Sequence, residues 1–168
     1  MTQTPSKTKI LLAQLAGVLM VVFVLAGVAW YGISAHVFER IWQNMLDRPG
    51  GPMKFRFILQ PIMAGIAAFY DGVHDARTGR SYHLWTILTN PAKRGGRLRE
   101  GLISTARVLL LCMGMDVIYQ LTVFETFHPA EAVIIALLLV AVPYLLLRGL
   151  IARIVRWWLG DGTANEIR

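Results

Sequence analysis

Intrachain disulfide chemistry is closed to this chain, because Cys112 is its single cysteine and stands inside an apolar stretch. Its simplest role is that of a small buried hydrophobe. Acidic residues are scarce too, ten against 17 Lys and Arg, and charged residues make up only 16% of the 168 positions. A soluble domain ordinarily carries about 25%, so the chain has too little charge for a fully water-facing surface. It also lacks a Walker loop, a nucleophile elbow and a His-Glu zinc helix, and has no internal repeat. No local motif therefore points to nucleotide binding, acyl transfer or metal-dependent hydrolysis.

What the chain has in abundance is apolar length: 55% of residues are hydrophobic and the mean hydropathy is +0.52. A bilayer core of about 30 Å needs roughly 20 apolar residues in a helix. Three segments meet that requirement, "ILLAQLAGVLMVVFVLAGVAWYGI" at 10–33, "GLISTARVLLLCMGMDVIYQLTVF" at 101–124 and "AVIIALLLVAVPYLLLRGLI" at 132–151. A fourth, "FRFILQPIMAGIAAFY" at 55–70, is short and carries Arg56, Gln60 and Pro61. It either spans with its ends snorkelling or lies re-entrant or interfacial. The first apolar run is longer than a signal-peptide core of about 7–15 residues and reads as an uncleaved anchor.

Net charge +7 would ordinarily raise a nucleic-acid partner, but the basic residues flank apolar segments, where they report topology instead. The turn "ETFHPAE" at 125–131 has no Lys or Arg, whereas Arg148, Arg153, Arg156 and Arg168 gather at the end of the chain. The positive-inside rule then places that turn outside, and both the C-terminus and the basic stretch 71–100 in the cytoplasm. Lys7 and Lys9, ahead of the first helix, favour a cytoplasmic N-terminus as well, which requires segment 55–70 to cross.

The expected fold is all-α: a helical integral membrane protein with four transmembrane helices, at about 10–33, 55–73, 101–124 and 132–151, the second short or re-entrant. Residues 74–100 form a cytoplasmic loop in which "YHLWTILT" dips into the interface and "NPAKRGGRLREG" turns the chain. Two amphipathic segments accompany the spans: "VFERIWQNMLDR" at 37–48 on the outer surface, and 152–160 along the inner leaflet. Small residues spaced by four, Ala13 with Gly17, Ala64 with Ala68, and Ala132 with Ala136, suit close helix contact. Pro143 predicts a kink.

Asp116 is the most informative residue, about 12 Å inside the third apolar segment at the helical rise. Ionisable groups at such depth face a bundle interior, a cavity or a partner. With segment 55–70 antiparallel to this span, Arg56 and Gln60 share its outer half, and Gln120 lies one turn from Asp116 on the same face. Asp116, Gln120, Arg56 and Gln60 thus form a candidate intramembrane polar cluster, as a structural clasp, an ion path or a partner contact. Arg107 is also intramembrane, but nine positions from Asp116 puts it on the opposite helix face. It is expected to snorkel to inner headgroups or to meet Asp71 or Asp75.

A second cluster, Asp71, His74, Asp75, Arg77 and Arg80, closes the cytoplasmic end of the second span. Its "DGVHDAR" resembles the CDP-alcohol phosphotransferase signature. In this chain three residues, not two, separate Gly72 from Ala76, and no Asp follows before Asp116, so the metal-binding carboxylates of those enzymes have no counterparts. His74 with two acids falls short of a metal ligand set, and the other histidines do not pair for haem. Lys93, Arg94, Arg97, Arg99, Arg153 and Arg156 are candidate lipid-headgroup ligands.

From "QPIMAGIAAFYDGVHDARTGRSYHLW" through "NPAKRGGRLREG", and over about residues 55–151, the chain resembles a group of small inner-membrane proteins of proteobacteria with no assigned activity. The resemblance implies a bacterial inner membrane and a helical fold, and supplies no site residues. The expected role is a non-catalytic accessory or scaffold subunit, free of metal and cofactor. Its basic face would bind anionic lipid, and its partners would be a second copy or another membrane subunit, not nucleic acid. A transporter or channel component using Asp116 is the alternative, and a membrane enzyme using Asp71, His74 and Asp75 the third.

Overall fold

The computed structural model describes residues 6–47, 50–51, 54–78 and 91–165, with side chains except at 93 and 159–165. Among them there are helices and no strands. Helix α1 spans Lys7–Tyr31, α2 Ala35–Asp47, α3 Arg56–Arg77 and α4 Pro91–Tyr119, the last extended by a π-helical turn, Gln120–Phe124. Helix α5, Pro129–Ala136, passes through a second π turn, Leu137–Ala141, into α6, Val142–Asn165. Three stretches are long and apolar enough to cross a membrane, Lys7–Tyr31, Arg94–Phe124 and Pro129–Trp158.

The helices alternate in direction. Arg56 meets Asp116 while Asp75 meets Arg97, so α3 and α4 are antiparallel. Asp71 reaches Tyr144 and Asp75 reaches Arg148, so α3 and α6 run the same way. Tyr31, at the end of α1, donates a hydrogen bond to the Phe127 carbonyl just past the end of α4. The starts of α1 and α4 therefore share one end of the bundle, termed proximal, and the starts of α3 and α5 share the other, termed distal. At 22 residues α3 is about 33 Å long.

Close packing depends on small side chains. Ala64 and Ala68 of α3 and Ala136 join Val108, Leu109, Cys112, Met113 and Val140 in the main core, and Ala13, Ala16 and Ala106 form a second core between α1 and α4. Helices α1 and α5 approach closely at Gly27, where an added Cβ would come within 2.5 Å of the Ala130 Cβ. Helix α1 ends at Gly32, whose N–H makes the last helical bond, to the Val28 carbonyl, and whose positive φ of 68° turns the chain out of the helix.

Several expectations are corrected. Residues 91–100 do not turn the chain but form the first turns of α4. Pro91 suits a helix start, and the cost of Gly95 and Gly96 is offset by the ion pairs that Arg97 makes with Asp75 and Glu100 with Arg148 across the bundle. Segment 152–160 is not a separate helix: nothing interrupts the backbone hydrogen bonding of α6 until Asn165. At Pro143, where a kink is expected, a π turn precedes the proline, which without an N–H cannot bond the Leu139 carbonyl. The "YHLWTILT" segment lies outside the described residues.

Candidate functional site

Helix α3 is built inside out. Phe55, just before it, and Ile58, Leu59, Ile62, Ile66, Phe69 and Tyr70 make a helical stripe of exposed apolar side chains. The opposite stripe, Arg56, Gln60, Ala64, Ala68, Gly72 and Asp75, is buried. The buried stripe is small in the middle and polar at both ends, so it delivers one charged group to each end of the bundle.

At the distal end Arg56 donates from Nη2 to Asp116 Oδ1 at 2.8 Å, with both side chains wholly buried. The other carboxylate oxygen accepts from Gln120 Nε2 at 2.7 Å, and Gln120 Oε1 accepts from the His128 backbone N–H at 2.6 Å. The guanidinium carbon lies 4.8 Å from the Tyr119 ring centre, close enough for the ring's quadrupole to favour the cation. Among the described residues, Arg56 Nε and Nη1 nevertheless have no hydrogen-bond partner. Gln60 accepts from the Cys112 thiol at 3.0 Å, one layer further in.

Beside this cluster α2 is tied to α5. Glu131, buried in the first turn of α5, accepts from Asn44 Nδ2 at 3.1 and 3.2 Å and lies 3.6 Å from Arg40 Nε. Tyr31 is held between the Arg40 guanidinium at 4.8 Å and the stacked His128 ring at 4.6 Å. Phe38, Trp42 and Leu46 form the opposite, exposed face of α2.

The proximal cluster is larger. Arg148, on α6, donates from Nε to Asp75 Oδ2 at 2.8 Å, from Nη1 to the Tyr144 hydroxyl at 2.6 Å and from Nη2 to Glu100 Oε1 at 3.1 Å. Tyr144 in turn donates to Asp71 Oδ2 at 2.6 Å. Arg97 closes the ring, 3.4 Å from Glu100 and 3.7 Å from Asp75. Gly72 makes this reach feasible, since an added Cβ would lie only 3.0 Å from the Arg148 carbonyl and from Ile151. Three carboxylates from α3 and α4 thus share two guanidinia from α4 and α6, with Asp71 and Glu100 still partly exposed at the rim of the cluster.

Among the sequence-predicted residues, Arg56, Gln60, Asp116 and Gln120 come together. Arg107 is exposed on the outer face of α4, away from Asp116, and does not take Asp71 or Asp75, which engage Tyr144 and Arg148 instead. His74 and Arg77 are exposed and outside the ion network, so the second cluster is divided. Arg97, expected at headgroups, is largely buried in that network. Arg94, Arg99 and Arg153 are exposed and Arg156 partly so, while Arg80 and the Lys93 side chain lie outside what is described. No group of His, Cys, Asp or Glu that could hold a metal occurs among the described residues.

Sequence reasoning missed Arg148, Tyr144 and Glu100 proximally, and Glu131, Arg40, Asn44 and His128 distally. One signal was present: Tyr144 and Arg148 share the four-residue spacing of Asp71 and Asp75, as two helices running in the same direction need for paired rungs. The chain matches no protein-family model, no curated protein and no solved structure.

Proposed function

We propose that this chain is a four-span integral membrane protein with both termini cytoplasmic, acting as a non-catalytic accessory or scaffold subunit whose basic cytoplasmic face binds anionic lipid. The observation that carries this reading is the inside-out α3. An apolar stripe exposed along a helix whose polar face is buried suits hydrocarbon as the surrounding solvent. A length of about 33 Å suits the roughly 30 Å core, which supports α3 as a fourth span beside the three more apolar helices. Lys7, Lys9, Arg94, Arg99, Arg153 and Arg156 then collect at the proximal, cytoplasmic end. The bacterial inner membrane as the setting follows from the resemblance of residues 55–151 to proteobacterial inner-membrane proteins.

A scaffold role is supported by how the polar interior is used. Asp71, Asp75, Glu100 and Asp116 are each tied to an arginine on another helix, so the charges serve to join helices. Helix α1 is the least enclosed of the apolar three, with 17% of its apolar window buried against 44% and 39%. That leaves a face for a second copy or a partner membrane subunit.

The second reading, a transporter or channel component using Asp116, is favoured by the unpartnered Arg56 nitrogens and by the π turn that begins at Gln120. Proteoliposomes loaded with a pH-sensitive dye separate the two. The scaffold reading expects no proton or cation flux above empty vesicles in wild type or Asp116→Asn, whereas a flux abolished by Asp116→Asn supports transport. Topology is checked by single cysteines labelled from outside intact cells: Gly50→Cys labels and Lys7→Cys does not. The reverse pattern refutes four spans.

A further inference from the structure

We infer that the groove between α1 and α4 at the proximal end seats one anionic phospholipid, with Arg99 taking the phosphate, Gln14 the ester oxygens and the apolar walls an acyl chain. This rests on the membrane reading above and gives its lipid-binding face one defined site. The groove has a volume of about 300 Å³ and is walled by Gly17 and Val18 from α1 and by Leu102 and Ile103 from α4. Gln14 and Arg99 are the polar residues on its lining. Gly17 explains the trough: a Cβ there would make ordinary contact with Leu102 at 3.7 Å, so the helix spacing admits a side chain that the sequence does not supply.

Gln14 is the observation that asks for a ligand. It is exposed on an otherwise apolar helix, about 10 Å along from Lys7, and makes no hydrogen bond among the described residues. A primary amide facing hydrocarbon with nothing to bond is costly. Phospholipid ester carbonyls, just beneath the headgroups, provide acceptors at that depth. Arg99, toward the headgroups, is exposed and in no ion pair among the described residues, while neighbouring Glu100 is engaged with Arg97 and Arg148. Arg107, two turns along the same stripe of α4, is also exposed, and its Cα–Cβ bond tilts toward the helix start and hence toward Arg99. No acid lines the groove, and Lys7 and Lys9 lie at the same end. The ammonium of a zwitterionic headgroup would meet these cations, whereas phosphatidylglycerol brings none.

The test uses the full chain, delipidated in mild detergent and reconstituted in nanodiscs of equal phosphatidylglycerol and phosphatidylcholine. Native mass spectrometry counts the lipid retained after release. Wild type is expected to retain one phosphatidylglycerol. Arg99→Gln should cut its preference over phosphatidylcholine about fivefold, one basic residue's share of the attraction to anionic lipid. Gln14→Leu should weaken retention of both lipids, and Val18→Trp, at an exposed position, should fill the groove and do the same.

No retained lipid, or retention unchanged in Arg99→Gln and Gln14→Leu, overturns the inference. So does disulfide crosslinking of Val18→Cys between copies, which would make a second chain the occupant. Quenching of the exposed Trp157 and Trp158 by brominated lipids separates this failure from that of the broader reading. If brominated phosphatidylglycerol still quenches more than phosphatidylcholine while no lipid is retained, only the groove site falls; equal quenching removes the anionic-lipid face as well.

Discussion

Replacing Asp116 with asparagine tests the buried ion pair with little change in shape. The substituted side chain would retain one oxygen and gain an amide within reach of Gln120, but Arg56 would remain a wholly buried cation with no counter-charge. At the observed 2.8 Å and an effective dielectric constant of about 20, the lost attraction is about 6 kcal/mol. The Tyr119 ring contacts the guanidinium with or without the pair and so offsets none of this, whereas neutralising Asp116 removes the cost of burying its own charge and returns part of it. The expected net loss is therefore about 3–5 kcal/mol, the range for breaking a buried pair from one side. The assay is reversible unfolding in mixed dodecylmaltoside and SDS micelles, followed by tryptophan fluorescence. Arg56→Met combined with Asp116→Asn removes both charges and should regain at least half of the loss. A single variant within about 1 kcal/mol of wild type, or a double variant no more stable than Asp116→Asn, would refute the pairing as a structural clasp.

The same unfolding assay checks three further expectations. Arg148→Lys should lose about 2–3 kcal/mol, because a single ammonium cannot reproduce the fork that reaches Asp75, Tyr144 and Glu100 together; wild-type stability would deny that the fork matters. Gly27→Ala should cost about 1–3 kcal/mol through its clash with Ala130, while Gly95→Ala, with nothing within 4 Å, should stabilise by up to about 1 kcal/mol. Opposite signs at either position would show that the helix crossing or the start of α4 differs from that described. Glu131→Gln should release α2 without unfolding the bundle, at a cost of about 1 kcal/mol, seen as faster hydrogen exchange over Ala35–Asp47 with exchange elsewhere unchanged.

What could be read from the sequence depended on whether one helix was enough to decide it. The opposite faces of Asp116 and Arg107 follow from 100° per residue along a single helix, and the structure buries one and exposes the other. The meeting of Arg56 with Asp116 needed one further premise, that segment 55–70 runs antiparallel to the next apolar helix. The proximal network was not legible, because it takes residues from α3, α4 and α6 whose partnership depends on which helices are neighbours. Arg148 looked like one more basic residue at the end of an apolar run, and Asp75 like a member of the cluster that closes the second span, with Arg107 as its candidate partner. Local propensity misled at Gly95 and Gly96, where the ion pairs of Arg97 with Asp75 and of Glu100 with Arg148 support a helix that the glycines alone disfavour.

By itself the sequence determined that this chain forms long apolar helices with Asp116 turned inward, because hydropathy and the 3.6-residue period act within one segment. Tertiary structure alone decided that Arg148 takes Asp75, that α2 is tied to Glu131 and that α1 and α4 leave a groove at Gly17. Each depends on a distance between segments remote in sequence, and such distances exist only once the helices have packed.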